Sequence, residues 1–280
     1  MTTRTPPRVT DAAGPPAAAA TSQPPGQARV FLALLRRDLY VTGRELPTFL
    51  AQVILQPLFM LFVFGRVLGD LGFIQHGYAN LLFPGILAMT TIMTALQTIT
   101  FPLVMEFGWT KEIEDRLLAP VRTSLVAVEK VVYSALRAMV AAAVMIPVGI
   151  LVLGSIPWQW AGLPMFVATI ILAALVGSAI GLTLGTFVPP TRIQIVFALV
   201  LVPIMFTGSA QYPWAQLDGL RWFQVVTAFN PLTYASEGVR SALLPSVDHI
   251  PQWICLLVLL GSVCLFTWIG SIGFRRRAID

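Results

Sequence analysis

The sequence predicts an all-α polytopic membrane protein with six transmembrane helices. Three observations carry this reading. The chain of 280 residues is 56% hydrophobic and 11% charged, with a mean hydropathy of +0.79, whereas soluble domains carry about 25% charged residues. Six apolar segments each approach the roughly 20 residues that a helix needs to cross a bilayer. Arginine and lysine gather in alternate connections, the pattern of the positive-inside rule. A soluble globule could not hide so much apolar surface and still present a wetted exterior. Backbone groups in lipid must be satisfied within the structure, and long uninterrupted apolar runs favour helices over a barrel.

The elements follow in order. Residues 1–28 are rich in Pro, Ala and Thr and hold no apolar run. They are expected to form a disordered cytoplasmic tail, and without a hydrophobic core they do not read as a cleaved leader. Residues 29–46 place Phe31, Leu32, Leu35 and Leu39 on one helical face. Arg37, Tyr40 and Arg44 take the opposite face, with Arg36 at its edge, which predicts a basic amphipathic helix in the membrane interface. The six-span domain, 47–274, has spans at about 47–69, 80–105, 124–153, 164–188, 193–211 and 252–274. Gly154-Ser-Ile-Pro157 and Pro189-Pro-Thr-Arg192 punctuate it, and a basic stretch, 275–280, closes the chain.

Charge sets the orientation. With the N-terminus inside, cytoplasmic segments hold Arg4, Arg8, Arg29, Arg36, Arg37, Arg44, Lys111, Arg116, Arg122, Arg192 and Arg275 to Arg277. External segments hold only Arg66, Arg221 and Arg240. Both termini are therefore expected in the cytoplasm. The bias toward Arg, Ala and Pro suggests a GC-rich bacterial genome, so the expected location is a bacterial plasma membrane.

Between spans two and three lies a charged island. Glu106, Lys111, Glu112, Glu114, Asp115, Arg116 and Arg122 fall within a few turns of one another. Lys111 with Asp115 and Glu112 with Arg116 are spaced i,i+4, which supports a short helix over about 111–118. Ile113 and Leu117 share one of its faces, so apolar knobs inside a charged rim could dock in a groove of a soluble partner. A solvated loop that touches nothing is the plainer alternative.

The connection between spans five and six is too polar for a span and too apolar for a plain loop. Trp214, Leu217, Leu220, Trp222, Phe223, Val225, Val226 and Phe229 suggest a helix at the outer boundary, where interfacial aromatics collect. Asn230 and Pro231 then fit an N-cap and a first helical position. A second short helix, about 231–244, would carry Tyr234, with Glu237 and Arg240 one turn apart. The whole reads as an outer re-entrant hairpin.

Several chemistries are absent from the sequence. No Gly-x-x-x-x-Gly-Lys-Ser/Thr loop, Gly-x-Ser-x-Gly elbow or His-Glu-x-x-His pair occurs. Catalytic residues and bound cofactors are therefore not expected on this chain. His76 and His249 stand apart, and Cys255 and Cys264 are read as buried small residues, so no metal site is expected either. Of the ionisable residues in span three, Glu129 and Lys130 are read as snorkelling at a helix end. Arg137, about two turns in, is harder to dismiss.

The order of these elements resembles the permease of ABC-2 type exporters. The motifs that carry the resemblance are Phe83-Pro-Gly-Ile86, Lys111-Glu-Ile-Glu-Asp-Arg-Leu-Leu-Ala-Pro120 and Phe229-Asn-Pro-Leu-Thr-Tyr-Ala-Ser-Glu-Gly-Val-Arg240, over about residues 30–277. The resemblance implies a coupling helix at 110–119, with Lys111, Glu112, Ile113, Glu114, Asp115, Arg116, Leu117 and Pro120 meeting a cytoplasmic ABC ATP-binding subunit. The interfacial helix, with Arg36, Arg37 and Arg44, would be a second contact. It implies a second permease chain, either a copy or a paralogue, surrounded by membrane lipid and with no nucleic-acid partner. ATP and Mg would bind on the ATPase subunit. The hairpin residues Asn230, Pro231, Tyr234, Glu237 and Arg240 would help form an outer gate.

On this footing the expected cargo is a hydrophobic drug-like molecule, a lipid or a lipid-linked glycan, moved outward. An efflux role in antibiotic resistance belongs to that class. Thr90, Thr94 and Gln97 form a stripe on span two that could face a cavity at the dimer interface, or could bond to neighbouring helices. Arg137 on span three and Phe197 and Leu201 on span five are further candidates for the path. The alternatives are an ATP-independent secondary transporter or channel and a membrane-embedded enzyme. Six spans without an internal repeat disfavour the former, and the lack of a catalytic cluster disfavours the latter.

Overall fold

A computed structural model describes residues 27–73, 77–107, 123–156 and 158–279. Among them the chain is helical and without strands. Six helices are long and apolar enough to cross a membrane: Leu46–Asp70, Tyr78–Met105, Leu125–Leu153, Trp160–Phe187, Pro190–Thr207 and Gln252–Arg277. They are numbered here as spans one to six. A further helix, Gln27–Arg44, precedes span one, which begins at Leu46 with Pro47 in its first turn.

Two span ends shift by several residues from the sequence expectation. Span five leaves helical geometry after Thr207, four residues early, where Gly208 breaks the run and Ser209 adopts a left-handed φ of 49°. The last helix runs on to Ile279 and carries the three arginines as helical residues. Span one is irregular as well. Pro57 removes a backbone donor from its interior, and the ladder widens to π-helical geometry from Leu61 to Val67.

Spans two and four form the buried centre, while spans one, five and six keep most of their surface exposed. The central pair is close because span four presents Gly177, Gly181 and Gly185 at intervals of four. A Cβ on Gly181 would lie 2.2 Å from Ile99 Cγ2 and 2.7 Å from the Leu96 carbonyl oxygen. Small residues at this spacing let two helix backbones approach, the usual packing device where lipid supplies no hydrophobic drive. Hydroxyls then bond across the contacts. Thr100 Oγ1 donates to the Gly181 carbonyl at 3.2 Å, Ser134 Oγ to Ser178 Oγ at 2.7 Å, and Thr183 Oγ1 to the Phe266 carbonyl at 2.9 Å. Span four is thereby fixed to spans two, three and six.

Arg277 closes the end of this bundle. Its Nη1 reaches the carbonyls of Thr186 and Val188, each at 3.1 Å, satisfying acceptors that the end of span four leaves open. Its guanidinium lies 5.1 Å from the centre of the Phe107 ring.

Candidate functional site

Spans one, two, three and five line an open cavity of about 370 Å³. Span two contributes Thr90, Thr94, Gln97 and Thr98, span one Phe49, Gln52, Val53 and Gln56, span three Arg137 and span five Met205. Thr90 serves two needs at once, because its hydroxyl donates to the Ile86 carbonyl at 2.8 Å while its side chain stays on the wall. The lining mixes amide, hydroxyl and guanidinium groups with aromatic and thioether surface. Such a site can hold a molecule that is partly polar and partly apolar.

The structure brings four of the predicted path residues together here, namely Thr90, Thr94, Gln97 and Arg137. Phe197 stands one layer back, with its ring centre 4.6 Å from that of the lining residue Phe101. Leu201 packs against the main core instead. The span-one wall is the part that sequence reasoning missed. Phe49, Gln52, Val53 and Gln56 recur at i, i+3, i+4 and i+7, and two glutamines on one stripe of an apolar span were the available signal.

Arg137 is held from two sides. Its guanidinium carbon lies 4.1 Å above the centre of the Phe49 ring, and its Nη1 donates to Tyr133 Oη at 3.4 Å. Tyr133 Oη also sits 2.5 Å from Thr42 Oγ1 on the first helix. A line of contacts thus runs from the helix before span one to the cavity wall.

Lys130 and Glu129 require a correction, because both side chains are buried and neither snorkels. Lys130 Nζ bonds Glu106 Oε1 at 2.5 Å, joining the first residue of the charged island, at the end of span two, to span three. Glu106 supplies a counter-charge within the protein, so the lysine has no need to reach for water. Arg66, counted among the external cations, is exposed, and its Nη1 lies 3.5 Å from the Val152 carbonyl on span three. Cys255 is buried as expected, but Cys264 is exposed on the outer surface of span six.

After span five the chain forms a short 3₁₀ helix, Trp214–Leu220, then helices Arg221–Ala228 and Pro231–Leu243. Asn230 caps the last of these, its Oδ1 accepting from the Leu232 amide at 2.9 Å. Its Nδ2 donates back to the Ile204 carbonyl at 2.8 Å and to Thr207 Oγ1 at 2.9 Å. One face of the helix then covers the frayed end of span five in register. Thr233 donates to the Thr207 carbonyl, Ser236 to that of Gly208 and Arg240 to that of Ser209, at 3.3, 3.1 and 3.1 Å. These carbonyls have lost helical partners and would otherwise be orphaned. Tyr234 Oη donates to the Ala228 carbonyl at 2.9 Å.

Glu237 and Arg240 are both fully buried and form an ion pair. Glu237 Oε1 also accepts from the Trp214 amide at 2.9 Å. Burial pulls the Arg240 pKa below the ordinary guanidinium value, and Glu237 opposes that shift. Burial likewise raises the Tyr212 phenol, with backbone hydrogen bonding acting the other way. The predicted coupling residues Lys111, Glu112, Ile113, Glu114, Asp115, Arg116, Leu117 and Pro120 lie outside the described residues. Arg36, Arg37 and Arg44 lie on the helix Gln27–Arg44. Among the described residues no cluster of His, Cys, Asp and Glu could hold a metal ion.

The profile of the ABC-2 type transporter family matches residues 29–244, which include the cavity wall and the helices after span five. The chain belongs to the ABC-2 type transporter family. Three relatives bear the name "Putative transport permease ycf38". The one from Cyanophora paradoxa is 26% identical over 220 residues, covering 75% of this chain and 72% of the relative. That from Porphyra purpurea is 29% identical over 219 residues, covering 74% and 72%. That from Pyropia yezoensis is 28% identical over 257 residues, covering 89% and 84%. With its six apolar helices, this ABC-2 chain is a multi-pass membrane transport permease. Members of the family are permease subunits and not themselves the ATPase, so membership implies partnership with an ABC ATP-binding subunit.

Proposed function

We propose that this permease is the membrane subunit of an ATP-driven exporter that carries a hydrophobic drug-like, lipid or lipid-linked glycan substrate out across a bacterial plasma membrane. Both termini lie in the cytoplasm in this reading. A pair of permease chains, identical or paralogous, forms the path, and separate ATP-binding subunits drive it with ATP and Mg. The coupling helix 110–119 receives the motion of the motor, and the helix Gln27–Arg44 makes a second contact through Arg36, Arg37 and Arg44.

The observation that carries this reading is the mixed polar and apolar cavity between spans one, two, three and five, lined by Thr90, Thr94, Gln97 and Arg137. It lies between the buried span two and the exposed spans one and five, where a second chain would complete the wall. The contact line from Thr42 through Tyr133 to Arg137 supplies a route by which movement of the first helix reaches the cavity. At the other end, the buried pair Glu237 and Arg240, with Asn230, Pro231 and Tyr234, holds the outer helices as one body that can act as a gate. The sequence contains no phosphate-binding loop of its own.

Affinity purification of the tagged permease from its own membrane tests the partnership. The expected companion is an ATPase containing a Gly-x-x-x-x-Gly-Lys-Ser/Thr loop. Charge reversal by Glu112→Lys or Arg116→Glu is expected to release that subunit while the permease stays monodisperse. Recovery of the chain without any ATPase, under conditions that preserve its native membrane complexes, contradicts the proposal.

A further inference from the structure

We infer that Arg137 makes the cavity a binding site for the anionic headgroup of a single-chain amphiphile, with a phosphate or carboxylate at the arginine and the tail along the apolar wall. This deepens the exporter reading and rests on it for its role in transport.

Arg137 is the one charged residue among those lining the cavity, and no Asp or Glu joins it there. It forms no salt bridge among the described residues. Its Nε is buried without a hydrogen-bond partner. The bond from Nη1 to Tyr133 is long at 3.4 Å, beyond the usual N–H to O range. Most of its five donors are therefore unused by the described residues. An ionisable side chain at membrane depth is costly and, where it persists, pairs with another group or marks a substrate path.

Phe49 holds the guanidinium in place by its ring face while supplying no counter-charge. A planar guanidinium presents a fork that matches a carboxylate or phosphate by two parallel bonds. Gln52 and Gln97 add amide donors to the same cavity. Met89, Met93 and Phe101 offer soft apolar surface for a chain of methylenes. A neutral hydrophobic molecule would leave the cation uncompensated, and a free inorganic anion would leave the apolar wall unused.

The test uses the purified full chain in an uncharged detergent. Three probes are compared: lysophosphatidate with a fluorescent acyl chain, the monoacylglycerol with the same chain, and inorganic phosphate as competitor. The expected result is tighter binding of lysophosphatidate than of monoacylglycerol. Arg137→Gln should weaken the anionic probe by about tenfold or more, the scale of a charge-assisted bond, and leave the neutral probe unchanged. Arg137→Lys should retain part of the preference. Arg192→Gln, which removes an exposed cation at the start of span five, should change neither affinity.

Unchanged lysophosphatidate affinity in Arg137→Gln overturns the inference. Equal loss of both amphiphiles also overturns it, since the arginine is then structural. Displacement by inorganic phosphate at the concentration of the amphiphile shows a free-anion site and overturns the lipid assignment. Binding is read without ATP or a partner, so a negative result leaves the exporter reading standing. Failure to recover an ATPase leaves this site standing in turn.

Discussion

Arg240 and Glu237 stand one helical turn apart, wholly buried, and each also ties down a separate stretch of chain. Arg240 reaches the Ser209 carbonyl after span five, and Glu237 receives the Trp214 amide before the next helix. The pair is thus a junction between three segments and not a local helix contact. Arg240→Met leaves a buried carboxylate unpaired, which costs roughly 3–5 kcal/mol where one partner of a buried pair is removed. A Glu237→Leu, Arg240→Met double variant should recover much of that loss, because the uncompensated charge is gone. Thermal unfolding of the purified chain in detergent reads both. Additive losses would show that the two residues act independently.

Lys130 and Glu106 make a second buried pair, which ties the first residue of the charged island to span three. Lys130→Met should lower the thermal midpoint by strongly exposing the same penalty, and Glu106→Gln in the same chain should restore part of it. In the assembled transporter the single variant should also reduce the stimulation of ATP hydrolysis by transported probe. A Lys130→Met chain as stable as the parent would show that the pair does not stabilise the contact of Glu106 with span three.

The approach of spans two and four depends on glycine. Gly181→Ala sets a methyl against Ile99 and the Leu96 carbonyl, where a Cβ would fall within 2.2 and 2.7 Å. The expected loss is about 1–3 kcal/mol, the usual range for overpacking. Gly261 in span six has nothing within 4 Å of its Cβ position. Gly261→Ala should therefore be neutral or stabilising by up to ~1 kcal/mol through helix propensity. Equal effects at the two sites in thermal unfolding would contradict the packing.

Asn230 caps the helix Pro231–Leu243 and donates to both Ile204 and Thr207. Asn230→Ala should cost about 1–2 kcal/mol from the cap alone. Asn230→Asp keeps the acceptor for the Leu232 amide and loses the two donor bonds. Hydrogen exchange should show the amides of Leu232 and Thr233 opening faster in the alanine variant than in the aspartate one. Identical exchange in both would show that the cap does not hold the helix start.

Spans were legible because length and hydropathy are local properties, and the Asn230 cap was legible because its signal lies within two residues. The stripe Thr90, Thr94 and Gln97 was legible as a stripe, although its neighbours were not. Gln52 and Gln56 lie far away in the chain, and only the packing of span one beside span two places them on the same wall. Lys130 was misread for a similar reason. Its partner Glu106 is 24 residues away, and a helix end viewed alone offers only water. The carbonyls of residues 207–209 carry no side-chain signal, so the seam formed by Thr233, Ser236 and Arg240 could not be seen before the helices were placed.

In the proposed function this permease moves its substrate only when a separate ATPase drives it. The most direct measurement is transfer of fluorescent lysophosphatidate across the bilayer of proteoliposomes, with the permease alone and with its copurified ATP-binding subunit. Transfer is expected only with the subunit, Mg and hydrolysable ATP together. Transfer by the permease alone, without ATP, would contradict it.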